Sequence, residues 1–259
     1  MSEIASAVSE VNYKIADVPL ITQICVGLHR RYDEFTAPLL SDLQESLLKS
    51  GDDLDKDATK KRRIQLRLFV ELYQVGLHDN EFFFVQMLTK LVGKSRDGSG
   101  GKKKPIDLAG LQAFIKFASD ILAGYTSSRL QALARQAGVK VEDVPSKCLT
   151  SSACRREIQM LIEDVYVTIC NGLQQAHKDL CSRRKKGEKD VAMHGSLNET
   201  KQIELDQAEK LHEKLLAACQ TLADAMGKEM PILEEEKEEV DAAKGISVYQ
   251  SGPVGDGGR

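Results

Sequence analysis

The chain contains no tryptophan, and aromatic residues make up only 5% of its 259 positions. Strand-rich cores lean on aromatic and β-branched side chains, so a sheet protein has little to be built from here. No apolar run approaches the roughly twenty residues that cross a bilayer, so no membrane contact is expected. The N-terminus lacks the charged-then-apolar pattern of a signal peptide. None of the six cysteines, at 25, 148, 154, 170, 181 and 219, forms a Cys-x-x-Cys pair, so zinc-ribbon spacing is absent. They read as reduced, mostly buried thiols of a cytosolic or nuclear protein. Also missing are a G-x-x-x-x-G-K-[ST] loop, a G-x-G-x-x-G turn and a G-x-S-x-G elbow. SGGKKKP at 99–105 has neither a preceding strand nor a glycine at the phosphate-loop offset. No cofactor, metal, catalytic residue or small-molecule substrate is therefore expected.

What is abundant is leucine and alanine at helical spacing. Apolar residues are 42% and charged residues 29%, the balance of a globular protein. Ile4, Val8, Val11 and Ile15 predict a first helix over 4–15. Asp17 then reads as an N-cap with Pro19 in the first turn, followed by the stripe Val18, Ile21, Cys25 and Leu28. In HRRYDEFTAPLL, Tyr32 and Phe35 fall where that helix stops and one carrying Leu39, Leu40, Leu43 and Leu47 starts. They are expected to staple a corner between packed helices, not to bind a ligand.

Residues 50–63 read as a polar loop entering a long helix. From Ile64 to Leu77 apolar side chains cover most of the circumference, which predicts burial on several sides. Arg67 and Glu71, four apart, can pair on the remaining polar strip. Asp79 or Asn80 caps the next helix, and 93–105 reads as an exposed mobile loop. Residues 107–123 form a helix ended by Gly124, and about 127–137 a shorter one ended by Gly138. Ile158, Leu161, Ile162, Val165, Ile169, Leu173, Ala176 and Leu180 mark one long helix. Leu205, Ala208, Leu211, Leu215, Ala218, Leu222 and Met226 mark a second. The expectation is all-α: a HEAT-like α-solenoid of about nine helices in antiparallel pairs, with a compact bundle as the competing architecture. It would fill 1–232, leaving 233–259 as an acidic, Gly/Pro-rich tail or linker.

The net charge of −3 is unevenly spread. Lys60, Lys61, Arg62 and Arg63 lie at the start of a helix. Lys102, Lys103 and Lys104 lie in a loop, and Arg183, Arg184, Lys185 and Lys186 read as following a long helix. If these segments converge, they attract phosphate and could contact an RNA backbone weakly or a partner. No aromatic platform interleaves with them, so base reading is not expected. His177 and Cys181 are four apart and could face one side of a helix, but a metal needs further ligands.

Three segments carry a family resemblance: HRRYDEFTAPLL, RIQLRLFVELYQVGLHDNE, and the closing KLLAACQTLADAMGKEMPIL. The last contains Thr221, Leu222, Ala223 and Asp224, then Met230, Pro231, Ile232 and Leu233. From about residue 4 to about 250, the chain resembles the first middle domain of the regulator-of-nonsense-transcripts-two, or second up-frameshift, family. The resemblance implies a HEAT-type domain like the middle domain of translation initiation factor 4G. It implies a non-enzymatic scaffold in nonsense-mediated mRNA decay, cytoplasmic or perinuclear. Its partners would be other up-frameshift and exon-junction proteins, reached through a longer parent protein of which this chain is a fragment. In that family the third middle domain and a C-terminal segment make the contacts to the third partner and the helicase, and this chain would contain neither. The alternative the resemblance carries is direct binding of a DEAD-box helicase or an RNA backbone.

Overall fold

The computed structural model describes residues 2–48, 56–93, 106–196 and 198–233. Among these, nine α-helices and no strand occur: α1 Ser2–Glu10, α2 Val18–Arg31, α3 Thr36–Leu48, α4 Lys56–Gln74, α5 Glu81–Leu91, α6 Leu108–Ala118, α7 Ser128–Gln136, α8 Ser152–His194 and α9 Glu199–Met226. The all-α expectation holds. The chain divides into two compact units. One is built from the residues up to Ile169 with Leu216–Glu229, and the other around Cys170–Leu215.

In the first unit α1 packs on α3 and α3 on α5, while α2 packs on α4 and α4 on α6. The helices thus form two layers, α1–α3–α5 and α2–α4–α6, as antiparallel pairs stacked side by side do. α4 is central, as its composition predicts. Leu68, Phe69, Val70 and Leu72 are buried on it, and so is Gln65, which bonds Ser46 and the Ser9 carbonyl. The pairing of Arg67 with Glu71 is present at 2.9 Å. The helix begins at Lys56, so 56–59 are helical where the sequence reading has a polar loop.

The α2–α3 corner is an elbow, as expected, but only half of the staple forms. Phe35 is fully buried, while Tyr32 is 39% exposed. His29 Nδ1 lies 2.8 Å from the Thr36 hydroxyl and ties the two helices across the turn. α1 departs further from expectation. It stops at Glu10, and Ile15 falls in a short 3₁₀ turn. Its buried positions are Ala5 and Ser9, whereas Ile4, Val11 and Ile15 are exposed. Ser6 and Ser9 donate to Asp42 on α3, so small residues allow close approach and hydroxyls replace apolar contact.

α5 is capped by Asn80, whose side chain accepts from the Phe83 N–H. It meets α4 in an aromatic cluster of Phe69, Tyr73, Phe83 and Phe84, into which His78 is inserted 4.3 Å from the Phe69 ring. The His78 Nε2–H donates to the Phe69 carbonyl at 3.1 Å, and buried Nδ1 has no partner among the described residues. Burial holds the imidazole below its ordinary value of 6.5. The unfolded chain therefore takes up this proton at a higher pH than the folded one. The stability His78 contributes is complete above about pH 6.5 and is lost as pH falls from there toward the folded value. Urea midpoints measured from pH 7.5 down to 5.5 should fall, and His78→Gln should make that slope shallower. An unchanged slope would remove His78 from the acid response.

α6 runs into a π-helical turn, Ser119–Ala123, ended by Gly124 at φ +68°. That turn leaves carbonyls for the 139–150 connector to satisfy: the Leu149 N–H donates to Ile121 and the Thr150 hydroxyl to Leu122, at 2.9 and 2.7 Å. The connector is thereby strapped to the helix end. Ser151, between the connector and α8, donates its N–H and hydroxyl to the Glu81 carboxylate on α5.

The near half of α8 buries Ile158, Ile162, Val165 and Ile169, and the far end of α9 buries Ala218, Cys219, Leu222, Ala223 and Met226. Gly227 follows α9 at φ +66°, in contact with Gln131 and the Thr126 carbonyl, where any Cβ would collide. In the second unit the remaining lengths of α8 and α9 pair as an antiparallel hairpin. Leu173, Ala176 and Leu180 are buried there, and Gly172 lies against Leu215. The acidic 234–241 run and the rest of the proposed tail lie outside the described residues.

Candidate nucleic-acid and partner interface

The four residues of KKRR at 60–63 do not share one role. Lys60 and Arg63 are exposed on α4 and Lys61 is half-buried. Arg62 points inward, its side chain only 13% exposed. Its Nη1 pairs with Asp107 at 3.1 Å and its Nη2 donates to the Leu47 carbonyl at 3.0 Å. Asp107 is also the N-cap of α6, accepting from the Gly110 N–H at 2.9 Å. Arg62 therefore closes a joint between the end of α3, the body of α4 and the start of α6. Its guanidinium is spent within the fold and is not offered to an RNA backbone.

RRKK at 183–186 does not follow a helix; it lies inside α8, which continues to His194. The apolar stripe fades after Leu180, but the helix persists because charge pairs replace it. Arg183 meets Glu204 and Arg184 meets Glu209, each at 2.8 Å, and Lys201 pairs with Asp190. Glu204, Glu209 and Lys201 are on α9, and Asp190 is on α8. Lys185 and Lys186 remain exposed. A cleft of about 430 Å³ in this hairpin mixes Arg183, Lys186 and Lys201 with Asp179, Asp190 and Glu204. Its charges balance, so it offers no net field to phosphate. Lys102, Lys103 and Lys104 lie outside the described residues, and the other two clusters belong to separate units.

His177 and Cys181 do share a face of α8. His177 Nδ1 lies 3.3 Å from His212 Nε2, and the Cys181 thiol lies 3.6 Å from His177 Nε2. The two contacts use opposite nitrogens of one ring, so the three groups do not converge on a point. Burial, then the nearby His177 and Arg184, lower the His212 pKa below 6.5, while Glu213 raises it. Among the described residues, no group of three or more His, Cys, Asp or Glu is placed to hold a metal ion. Burial also pushes the Cys25 and Cys154 thiols up to about 11, away from thiolate chemistry at neutral pH. No described helix is long and apolar enough to cross a membrane.

The feature the sequence reading missed is an open groove of about 820 Å³ along the α2–α4–α6 layer. α2 gives it Pro19 and Thr22, and α4 gives Arg67 and Glu71. Val75 follows α4, and α6 gives Lys116 and Phe117. The π turn supplies Asp120, and the strapped connector supplies Lys147 and Leu149. Glu71 accepts from Arg67 Nε at 2.9 Å and lies 3.2 Å from the Thr22 hydroxyl. The guanidinium lies over the Phe117 ring, 5.7 Å from its centre. The spacing of Arg67 and Glu71 was the one signal in the sequence. The partners on α2 and α6 are distant along the chain and left no local trace.

No family model matches the chain. Over 91% of its length it is 25% identical to regulator of nonsense transcripts UPF2 of Arabidopsis thaliana. Over 99% it is 22% identical to regulator of nonsense transcripts 2 of Homo sapiens. It spans only about a fifth of the length of either, 19% and 20% respectively. Among solved structures it is similar to the first MIF4G domain of human nonsense mediated decay factor UPF2. That match has a TM-score of 0.72 at 21% identity, over 90% of this chain and 73% of that one. The N-terminal mIF4G domain of S. cerevisiae Upf2, a protein involved in the degradation of mRNAs containing premature stop codons, matches with a TM-score of 0.57 at 19% identity, over 90% of this chain and 78% of that one. The resemblance read from the three sequence segments is borne out, and the fold is of this middle-domain type.

Proposed function

We propose that this chain is a non-catalytic scaffold domain of the nonsense-mediated mRNA decay machinery. The observation that carries the reading is the similarity along nearly the whole chain to one segment of the regulators of nonsense transcripts, joined to the matching fold. Stacked helices with a packed interior offer contact surface and fixed geometry, which is what assembly of an RNA–protein surveillance complex requires. The partners are up-frameshift and exon-junction proteins, met in the cytoplasm through a longer protein. Depleting the protein that carries this chain should lengthen the half-life of a reporter mRNA with a premature stop codon. The same reporter without that codon should be unaffected. Equal half-lives with and without depletion would contradict the role.

A second reading, direct contact with an RNA backbone, is favoured by the exposed cations Lys60, Arg63, Lys185 and Lys186. On that reading, Ala at Lys60, Lys61 and Arg63 together should weaken oligouridylate binding several-fold. It should also lower the slope of log affinity against log salt by about two to three. Arg62→Lys alone should leave that slope unchanged. Filter binding between about 50 and 200 mM salt reads both quantities, and a salt-independent affinity would reject this reading.

A further inference from the structure

The α2–α4–α6 groove holds a guanidinium that is fixed in place but not fully used. Arg67 Nε is committed to Glu71, and the flat face rests over Phe117. Its two terminal amino groups have no acceptor among the described residues, and the side chain is 30% exposed to the groove. A guanidinium immobilised by its Nε and one face, with the fork of amino groups left open, is pre-organised for a planar two-oxygen anion. Lys116 and Lys147, both exposed, flank it. Apolar contact is available beside the charge, because Val75 is 49% and Leu149 52% exposed.

The same groove disfavours a nucleic-acid backbone. Glu71 and Asp120 line it and would repel a continuous row of phosphates. The one aromatic ring among its lining residues, Phe117, already has one face under the Arg67 guanidinium, which competes with base stacking there. A ligand with spaced carboxylates and apolar side chains meets both the cations and the exposed Val75 and Leu149, and can keep its charges away from Asp120.

We propose that this groove docks an acidic peptide segment of a partner protein, with one carboxylate forked onto Arg67 and apolar side chains on Val75 and Leu149. The proposal does not depend on the decay reading, since any partner bearing such a segment would fit. The test uses the full chain and a fluorescein-labelled twelve-residue peptide of repeating Leu-Glu-Glu, read by fluorescence anisotropy. Saturable binding in the micromolar range is expected, weakened about tenfold or more by Arg67→Gln. Because Arg67→Gln also breaks an intrahelical pair, Lys147→Glu and Val75→Glu serve as variants at exposed positions. Each should weaken the peptide at least threefold with an unchanged melting temperature. A Leu-Lys-Lys peptide should not bind. The proposal is overturned if the acidic peptide fails to saturate by about 1 mM, or if its affinity ignores all three substitutions. It is equally overturned if oligouridylate, not the peptide, loses affinity in the Arg67→Gln and Lys147→Glu variants.

Discussion

Phe69→Ala should destabilise the chain by about 4 kcal/mol, lowering its melting temperature by roughly 10 °C. The side chain is fully buried at the centre of α4 and is the hub of the aromatic cluster. Its ring stands 4.3 Å from His78, 4.8 Å from Phe83 and 5.4 Å from Phe84. Truncation removes a fully buried ring, and the rings around it cannot close the gap without leaving their rotamers. His78 then loses its stacking neighbour while its Nε2–H bond to the position-69 carbonyl survives. Phe82, by contrast, is 46% exposed on the neighbouring helix. Phe82→Ala should cost well under half as much. Chemical denaturation of the two variants side by side gives the comparison. Similar costs would mean that the cluster is not the centre of the core.

Arg62→Ala should cost about 2 kcal/mol, far more than Lys60→Ala or Arg63→Ala, which should stay within about 0.5 kcal/mol. Removal of Arg62 leaves Asp107 without its counter-charge and the Leu47 carbonyl without its donor. Asp107 is 28% exposed, so water recovers part of the loss and the cost stays below that of a fully buried pair. Arg62→Lys should not restore stability, because one ammonium cannot reproduce two donors aimed at different helices. Asp107→Asn keeps an oxygen to cap the Gly110 N–H and isolates the charge term. The double variant Arg62→Met, Asp107→Asn should therefore cost less than the sum of the two single ones. Strict additivity would show that the pair contributes nothing to the joint.

These two sites mark what local sequence can and cannot show. The burial of α4 was legible because apolar residues crowd its whole circumference. The cap at Asn80 and the αL turns at Gly124 and Gly138 are written within a few residues of their helix ends, whereas Asp107, the α6 cap, reads as part of its helix. The role of Arg62 was not legible, since its partners stand 15 and 45 positions away and it looks identical to Arg63 beside it. The end of α8 was misjudged for a related reason. An apolar stripe that stops at Leu180 reads as the end of a helix, whereas the hairpin continues on Arg183–Glu204 and Arg184–Glu209 pairs. α1 misled in the opposite direction. Its isoleucines and valines are spaced like a core face, yet Ala5 and Ser9 are buried because small residues let the helix approach α3. Of the candidate contact residues, Lys60, Arg63, Arg183, Arg184, Lys185 and Lys186 are exposed, while Arg62 is not. Sequence could not assemble the groove, whose walls come from four separate stretches of chain.

Affinity capture tests the scaffold role most directly. The tagged longer protein that carries this chain, incubated in a translating extract treated with nuclease, should enrich decay and exon-junction proteins over a tag-only control and over the same protein lacking this segment. A Phe69→Ala chain should lose that enrichment in step with its folding. Recovery indistinguishable from the control, for a chain shown to be folded, would contradict the account.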